Sequence, residues 1–467
     1  MSEAAETDVL IVGGGVAGLS AAYELLTRGV SVRVLEAASR PGGVVTTERL
    51  DGWVIDGGPD SLLVQKPAAL TLCRELGIAD QLLDTLTPRT AYVLREGKLH
   101  PILEGSFLGF PLRAEALLRS TLFSTVGKLR LAAEVFVPRK DGDEDESIGQ
   151  FVRRRFGEEA AQYLADPLLA GIHAGDADAL SVRALFPRLV EAERRAGSVI
   201  RAFRPQQARP SPRGAFVSLP GGTGALIDAL AAAVGHERIE LDTAVSDITR
   251  TGRYTVSAGD RRFTGKALLL AVPAYVAGRL LNRFDTTLGS LCGAIPYAST
   301  ATVALGYRAD QVRRPMRGSG FVVPRRERSP LLAATWVTSK WPGRAPDGHV
   351  LLRGFLGGGR DPHRTEADDA TLMSLVESAL RELMGIEGSP VIRRLFRFTR
   401  QSPQYEVGHQ HRVDTIDRHV AAQPGLFLTG SGFRAIGIPD TIADARETAG
   451  RAVRYLRAER EHAVRRG

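Results

Sequence analysis

The chain has 467 residues, 43% of them hydrophobic, which is too long for one compact core and implies two or three globular domains. No uncharged apolar run of about 18 residues occurs, and the N-terminal MSEAAETD is neither basic nor apolar, so neither a spanning helix nor a secretory leader is expected and a cytoplasmic setting follows. Two distant cysteines, Cys73 and Cys292, give no disulfide framework or metal cluster, and a net charge of +8 suits an anionic substrate, a membrane surface or nucleic acid without choosing among them.

The first predicted element is a buried parallel strand over Val9–Val12, ending in Gly13, Gly14 and Gly15. Val16, Leu19, Tyr23 and Leu26 then recur at helical spacing, with Gly29 as the stop. A second strand, VSVRVLEA, ends in Glu36. Gly13, Gly15 and Gly18 thus form GxGxxG between a strand and a helix, with an acid about 20 residues on, which is a dinucleotide fingerprint. Its first glycine serves the tight turn, its second lets backbone approach a pyrophosphate, and its third lets helix and strand pack. Glu36 is placed to accept from a ribose diol. FAD and NAD share this fingerprint, so the residues after Glu36 decide. They run ASRPGGVVTT, with Arg40, Gly42 and Gly43, and then DGWVIDGGPDS, with Gly57, Gly58, Pro59 and Asp60. The RxGG pattern resembles the second glycine motif of the flavin amine oxidase superfamily. That resemblance implies FAD, with Arg40 meeting the pyrophosphate charge and Val16, Ala17 and Ala37 flanking the cofactor.

Helical patterns follow between 110 and 200, among them SIGQFVRRRFGEEAAQYLADPLLAGI with Ser147 as N-cap. The acidic DGDEDES at 141–147 reads as a solvated loop, and RPQQARPSPRG at 204–214 as a mobile linker. Farther on, a strand pair turns at Thr251-Gly252, and KALLLAVPAYVA is a buried strand stopped by Pro273. Residues 280–400 alternate strands such as TATVALGY and HVLLRGFLGG with a helix near 367–384. The chain closes on a strand, a glycine-rich turn with Gly430 and Gly437, and a helix with Ile442, Ala445, Ala449, Val453 and Leu456 on one face and Asp440 as cap.

These elements predict an α/β chain (α+β overall). A discontinuous Rossmann-like FAD-binding domain takes 1–85, 216–278 and 415–467, a mixed-sheet substrate domain 279–414, a helical domain 86–205 and a linker 204–215. GPDSLL (58–63), LHPIL (99–103), FVRRRFGEEAAQYLADPLLAGIHAGDADALS (151–181), LPGGTGAL (219–226) and GIPDTI (437–442) occur in this order. Together they resemble the oxygen-dependent protoporphyrinogen oxidase family of haem biosynthesis, including its soluble bacterial members acting on coproporphyrinogen III.

The resemblance implies a six-electron oxidation of a porphyrinogen in three two-electron rounds, with non-covalent FAD taking hydride at N5 and O2 returning it to the oxidised form with release of H2O2. No protein general base is nominated, and no metal. The family pattern brings Val245 to the adenine, and Gly430, Gly437, Ile438 and Ile442 to the flavin. It assigns Arg89 and Lys66 to substrate propionates, and Trp341 and Val323 to opposite walls of the macrocycle site. GPDSLL and the Lys66 context resemble the coproporphyrinogen enzymes, Pro88-Arg89 the protoporphyrinogen ones, and His173 stands where many relatives have tyrosine. A homodimer and peripheral contact with the inner face of the membrane are compatible with the family. No basic segment interleaved with stacking aromatics suggests nucleic acid as a partner. The alternative is another oxidase of the superfamily acting on amines or polyenes.

Overall fold

The computed structural model describes residues 6–102, 106–107, 109–111, 114–203 and 214–466. The linker at 204–215 therefore lies almost wholly outside the described residues, as does Leu103 of LHPIL.

Strand β1 (Thr7–Val12) runs into helix α1 (Val16–Thr27) and then strand β2 (Val32–Leu35), which pairs parallel with β1, Val9 facing Val32 and Val12 facing Leu35. Val9, Leu10 and Ile11 are fully buried because both sheet faces are covered, as the unbroken apolar run requires. The parallel sheet is ordered Ile239–Glu240, β2, β1, Arg261–Leu270, Leu426–Leu428. A hairpin, Asp247–Thr251 and Arg253–Ala258, turns at Gly252 (φ +79°) and adds antiparallel to Arg261–Leu270. The last helix, Ile438–Arg466, lays Ile442, Ala445, Ala449, Val453 and Leu456 in the core against α1.

The second sheet is ordered Ile392–Pro403, Tyr297–Arg308, His349–Gly357, Ala333–Trp336, Gly320–Val322, Ala91–Arg95, Lys98–Pro101, and every junction is antiparallel except that of 320–322 with 91–93. Two expected domain borders move. Residues 91–101 belong to this sheet and not to the helical region, because 91–93 pair with 320–322 and 98–101 pair back on 92–95. Conversely, the helices Ala274–Leu281 and Thr286–Gly293 bury Leu280, Leu281, Leu288 and Cys292 against the parallel sheet, so the first domain runs past 278.

The helical region packs Phe151, Phe156, Leu164 and Leu189 into its own core. Ser147 caps its helix Ile148–Phe156 with a reciprocal box to Gln150. Arg155, with no exposed side-chain surface, pairs with Glu134 and donates to the carbonyls of Val137 (3.0 Å), Pro138 (3.1 Å) and Gly197 (2.9 Å). Residues 161–170 form a wide i→i+5 helix containing Pro167, which has no N–H to place in a ladder. Among the described residues no helix is long and apolar enough to cross a membrane.

Candidate flavin and substrate site

The three glycines after β1 do different work. A Cβ on Gly13 (φ +103°) would lie 2.5 Å from the Ala271 carbonyl oxygen, and one on Gly18 would collide with the Gly13 carbonyl. Both are therefore demanded by the protein itself. Gly15 has an ordinary φ of −72°, and a Cβ there meets nothing within 4 Å. Among the described residues no packing contact requires a glycine at 15, so its backbone is open to the approach of a ligand.

Gly430 (φ +109°) and Gly437 (φ +96°) are required by their left-handed backbone, but the space above them is open as it is at Gly15, their Cβ positions reaching only to 3.8 Å of Ala17 Cβ and 3.9 Å of Asp440 Oδ2. The first, through Ala17, borders the same cradle as Gly15. The α1 N-terminus has no side-chain cap and no acid in its first turn, which leaves its N–H groups and positive dipole end for phosphate.

Glu36, one residue past β2, accepts from the N–H of Gly14 (2.6 Å) and of Ala38 (2.8 Å), and so locks the turn beside Ala37, which is exposed. Arg40 donates to the carbonyls of Pro41 (3.0 Å), Gly43 (2.8 Å) and Val45 (3.3 Å), holding the RPGG turn over Gly14, whose carbonyl accepts from Gly42 N–H at 2.8 Å. Gly57 and Gly58 are packing glycines: a Cβ would strike the Phe396 ring in one case and the Val44 carbonyl in the other. Pro59 accepts from Thr223 Oγ1 (2.7 Å), and Val245 is buried in the connecting stretch 243–246, which is tied to Glu36 through the Thr243 N–H. Val16 is half-buried and Ile438 is buried at the edge of the same core.

The structure corrects several expectations. Asp440 does not cap the last helix; that helix begins at Ile438, and the Asp440 carboxylate pairs with Lys66 Nζ instead. Ile442 is completely buried in the core and cannot touch a cofactor. Trp341 is likewise sealed, among Trp53, Ile55 and Leu351, and Val323 at 1% exposure belongs to the core beneath the second sheet. Neither is a cavity wall. Arg89 is half-buried, its Nε donating to the Thr85 carbonyl at 3.2 Å.

Other residues escaped sequence reasoning. Lys340 Nζ lies 2.9 and 3.0 Å from the two Asp60 oxygens and above the rings of Phe216 and Trp341, at 5.6 and 5.1 Å from their centroids. Arg353 donates to the Gly58 carbonyl (2.6 Å) under the same loop. Burial pushes the Asp60 carboxyl upward, but Lys340 and Arg353 outweigh it and hold the group well below the usual carboxylate range. Asp60 is therefore a permanent anion that anchors GGPD, not a proton donor. His173 rests edge-on to Phe186 with Nδ1 sealed and unpartnered; burial first, and then the Lys66 charge, push its pKa down to about 4. At neutral pH this ring is uncharged. A separate cavity of about 420 Å³, lined by Arg153, Asp166, Asp176, Asp178 and Arg325 among others, opens between the helical region and the second sheet, away from these glycines.

A fingerprint turn, an open glycine cradle and a last helix packed on α1 define a dinucleotide-binding α/β protein. The sequence profile of the flavin containing amine oxidoreductase family matches residues 16–456. Coproporphyrinogen III oxidase of Bacillus subtilis (strain 168) is 32% identical over 464 residues, covering 96% of this chain and 98% of that one. Protoporphyrinogen oxidase 2 of Arabidopsis thaliana is 26% identical, covering 96% and 94%. A solved structure of a proposed protoporphyrinogen oxidase from Exiguobacterium sp. 255-15 superposes with a TM-score of 0.86 at 31% identity, covering 97% of this chain and all of that one. The chain belongs to the flavin-containing amine oxidoreductase family and is an FAD-dependent oxidoreductase.

Proposed function

We propose that this enzyme oxidises a porphyrinogen to the porphyrin in haem biosynthesis, with coproporphyrinogen III as the preferred substrate. The observation that carries the reading is the near full-length similarity to coproporphyrinogen III oxidases at 31–32% identity, against 26–29% for the plant protoporphyrinogen oxidases. The bound flavin supplies hydride acceptance and electron transfer to O2.

The chain's own residues supply the rest. The backbone at Gly15 and the α1 N-terminus hold the pyrophosphate, Glu36 orients the adenosine ribose, and the open backbone at Gly430 and Gly437 admits the flavin ring system. Lys66 and Arg89 are the cations assigned to substrate carboxylates, and exposed Ile172 and Phe216 offer apolar surface to the macrocycle. Leu118, Val126, Leu129 and Phe136, all exposed on the helical region beside Lys128, support peripheral contact with the inner face of the membrane.

The test is aerobic turnover of both porphyrinogens, followed by porphyrin fluorescence against an enzyme-free control. A higher kcat/KM for coproporphyrinogen III is expected, and a preference for protoporphyrinogen IX would reverse the substrate assignment.

A further inference from the structure

Segment 166–176 leads out of the wide helix 161–170 of the helical region, and both its ends are tied to Arg325, just past the strand Gly320–Val322 of the second sheet. At the first end, Asp166 Oδ2 accepts from the Arg325 backbone N–H (2.7 Å) and from Arg360 Nη1 (2.8 Å). Arg360, with only 6% of its side chain exposed, also donates to the Val323 carbonyl from both Nη atoms at 3.2 Å. At the other end, Asp176 Oδ2 accepts from Arg325 Nη2 at 2.8 Å. Residue 325 thus holds Asp166 with its backbone and Asp176 with its side chain.

The span between is pinned from a third side. The Ala174 carbonyl accepts from Gly359 N–H (2.7 Å) and the His173 carbonyl from Gln404 Nε2 (3.2 Å). Two features of this span call for a partner. Ile172 leaves 67% of its surface exposed, and His173 beside it feels the charge of Lys66, whose own partner Asp440 stands three residues past Gly437.

We infer that Arg325 and Arg360 are positioning residues: they clamp the two ends of segment 166–176 and so set where Ile172 and His173 stand against the substrate. The inference rests on the porphyrinogen reading for the identity of that substrate. Its physical basis is the distance tolerance of a reacting pair, where about 1 Å of displacement costs on the order of 10²-fold in rate. The two arms differ in exposure. The Arg360–Asp166 arm is shielded, whereas Arg325–Asp176, with 51% and 30% of the side chains exposed, opens into the cavity of about 420 Å³ and is screened by salt.

The test uses FAD-loaded full-length protein carrying Arg360→Gln or Arg325→Gln, the second being half-exposed and therefore safe for folding if the first is not. Hydrogen exchange of the amides in 168–176 is expected to speed up at least tenfold in each variant, with bound FAD held in both and the thermal midpoint held in Arg325→Gln. The kcat for coproporphyrinogen III is expected to fall 10- to 100-fold. Asp176→Asn combined with Arg325→Gln should lose no more than Arg325→Gln alone, and Arg325→Lys should recover part of the rate. Unchanged exchange in 168–176, an unchanged kcat, or additive losses in the double variant would overturn the clamp. Wild-type holoprotein inert toward both porphyrinogens would overturn the functional reading and the proposal with it, whereas an active wild type with indifferent variants overturns the proposal alone.

Discussion

Replacing Gly15 by valine separates cofactor binding from folding. The backbone there has φ −72°, open to any residue, and the new side chain meets no protein atom within 4 Å at its Cβ. Losing glycine at the N-cap costs about 0.5–1 kcal/mol, while removing it from the unfolded chain returns a similar amount, so the apoprotein should change by less than about 1 kcal/mol. With an unfolding entropy of about 2.1 cal/mol/K per residue over 467 residues, 1 kcal/mol corresponds to about 1 °C. The wild type at FAD one hundredfold above its Kd gains about 2.7 kcal/mol, or about 3 °C, and Gly15→Val should gain none. Gly18→Ala is the contrast: its methyl strikes the Gly13 carbonyl, and overpacking of about 1–3 kcal/mol should lower the apoprotein midpoint itself. Thermal melts with and without FAD, together with the flavin absorbance of purified protein, read both. A Gly15→Val protein that keeps stoichiometric FAD and the full shift would refute the cradle.

Arg155→Met should cost about 3–5 kcal/mol in urea unfolding, because it strands a buried Glu134 carboxylate; a loss below about 1 kcal/mol would mean the pair is not sealed. His409 is 2% exposed, and burial pushes its pKa down to about 4, the hydrogen bond to the Phe433 carbonyl acting the other way and the Arg412 charge adding to the drop. An unfolded histidine titrates near 6.5, so between that pH and about 4 the unfolded chain binds a proton that the fold refuses. Stability should therefore fall as pH drops through this window, by up to about 1.4 kcal/mol per pH unit from this group. His409→Gln, which keeps a donor for the carbonyl, should remove that slope; an identical pH profile in the variant would contradict it. Arg89→Ala should raise the KM for coproporphyrinogen III several-fold at unchanged FAD content, and unchanged kinetics would remove Arg89 from the substrate site.

The strand–turn–helix at the N-terminus was legible because each of its signals is local: an apolar run buried on both faces, glycines at fixed offsets, an acid at the end of β2. The last helix was legible for the same reason, its buried face repeating at helical spacing. What the sequence hid depends on contacts across hundreds of residues. Asp440 looks like a cap, yet the carboxylate is drawn to Lys66, 374 positions away. Lys340 reads as a surface lysine until it meets Asp60 from 280 positions away. Residues 91–101 fold as a hairpin turned at Glu96-Gly97, and only the pairing of 91–93 with 320–322, more than 220 positions away, assigns it to the second sheet. The family pattern puts Trp341 and Val323 on cavity walls, but both are apolar side chains sealed in cores just past the ends of their elements.

The central claim, FAD-dependent porphyrinogen oxidation with O2 as acceptor, is tested most directly by counting H2O2 against porphyrin for the purified FAD-loaded protein on coproporphyrinogen III. The account predicts about three H2O2 per porphyrin, one for each two-electron round, at a rate well above autoxidation. Porphyrin formation no faster than the enzyme-free control, from protein shown to hold FAD, would contradict it.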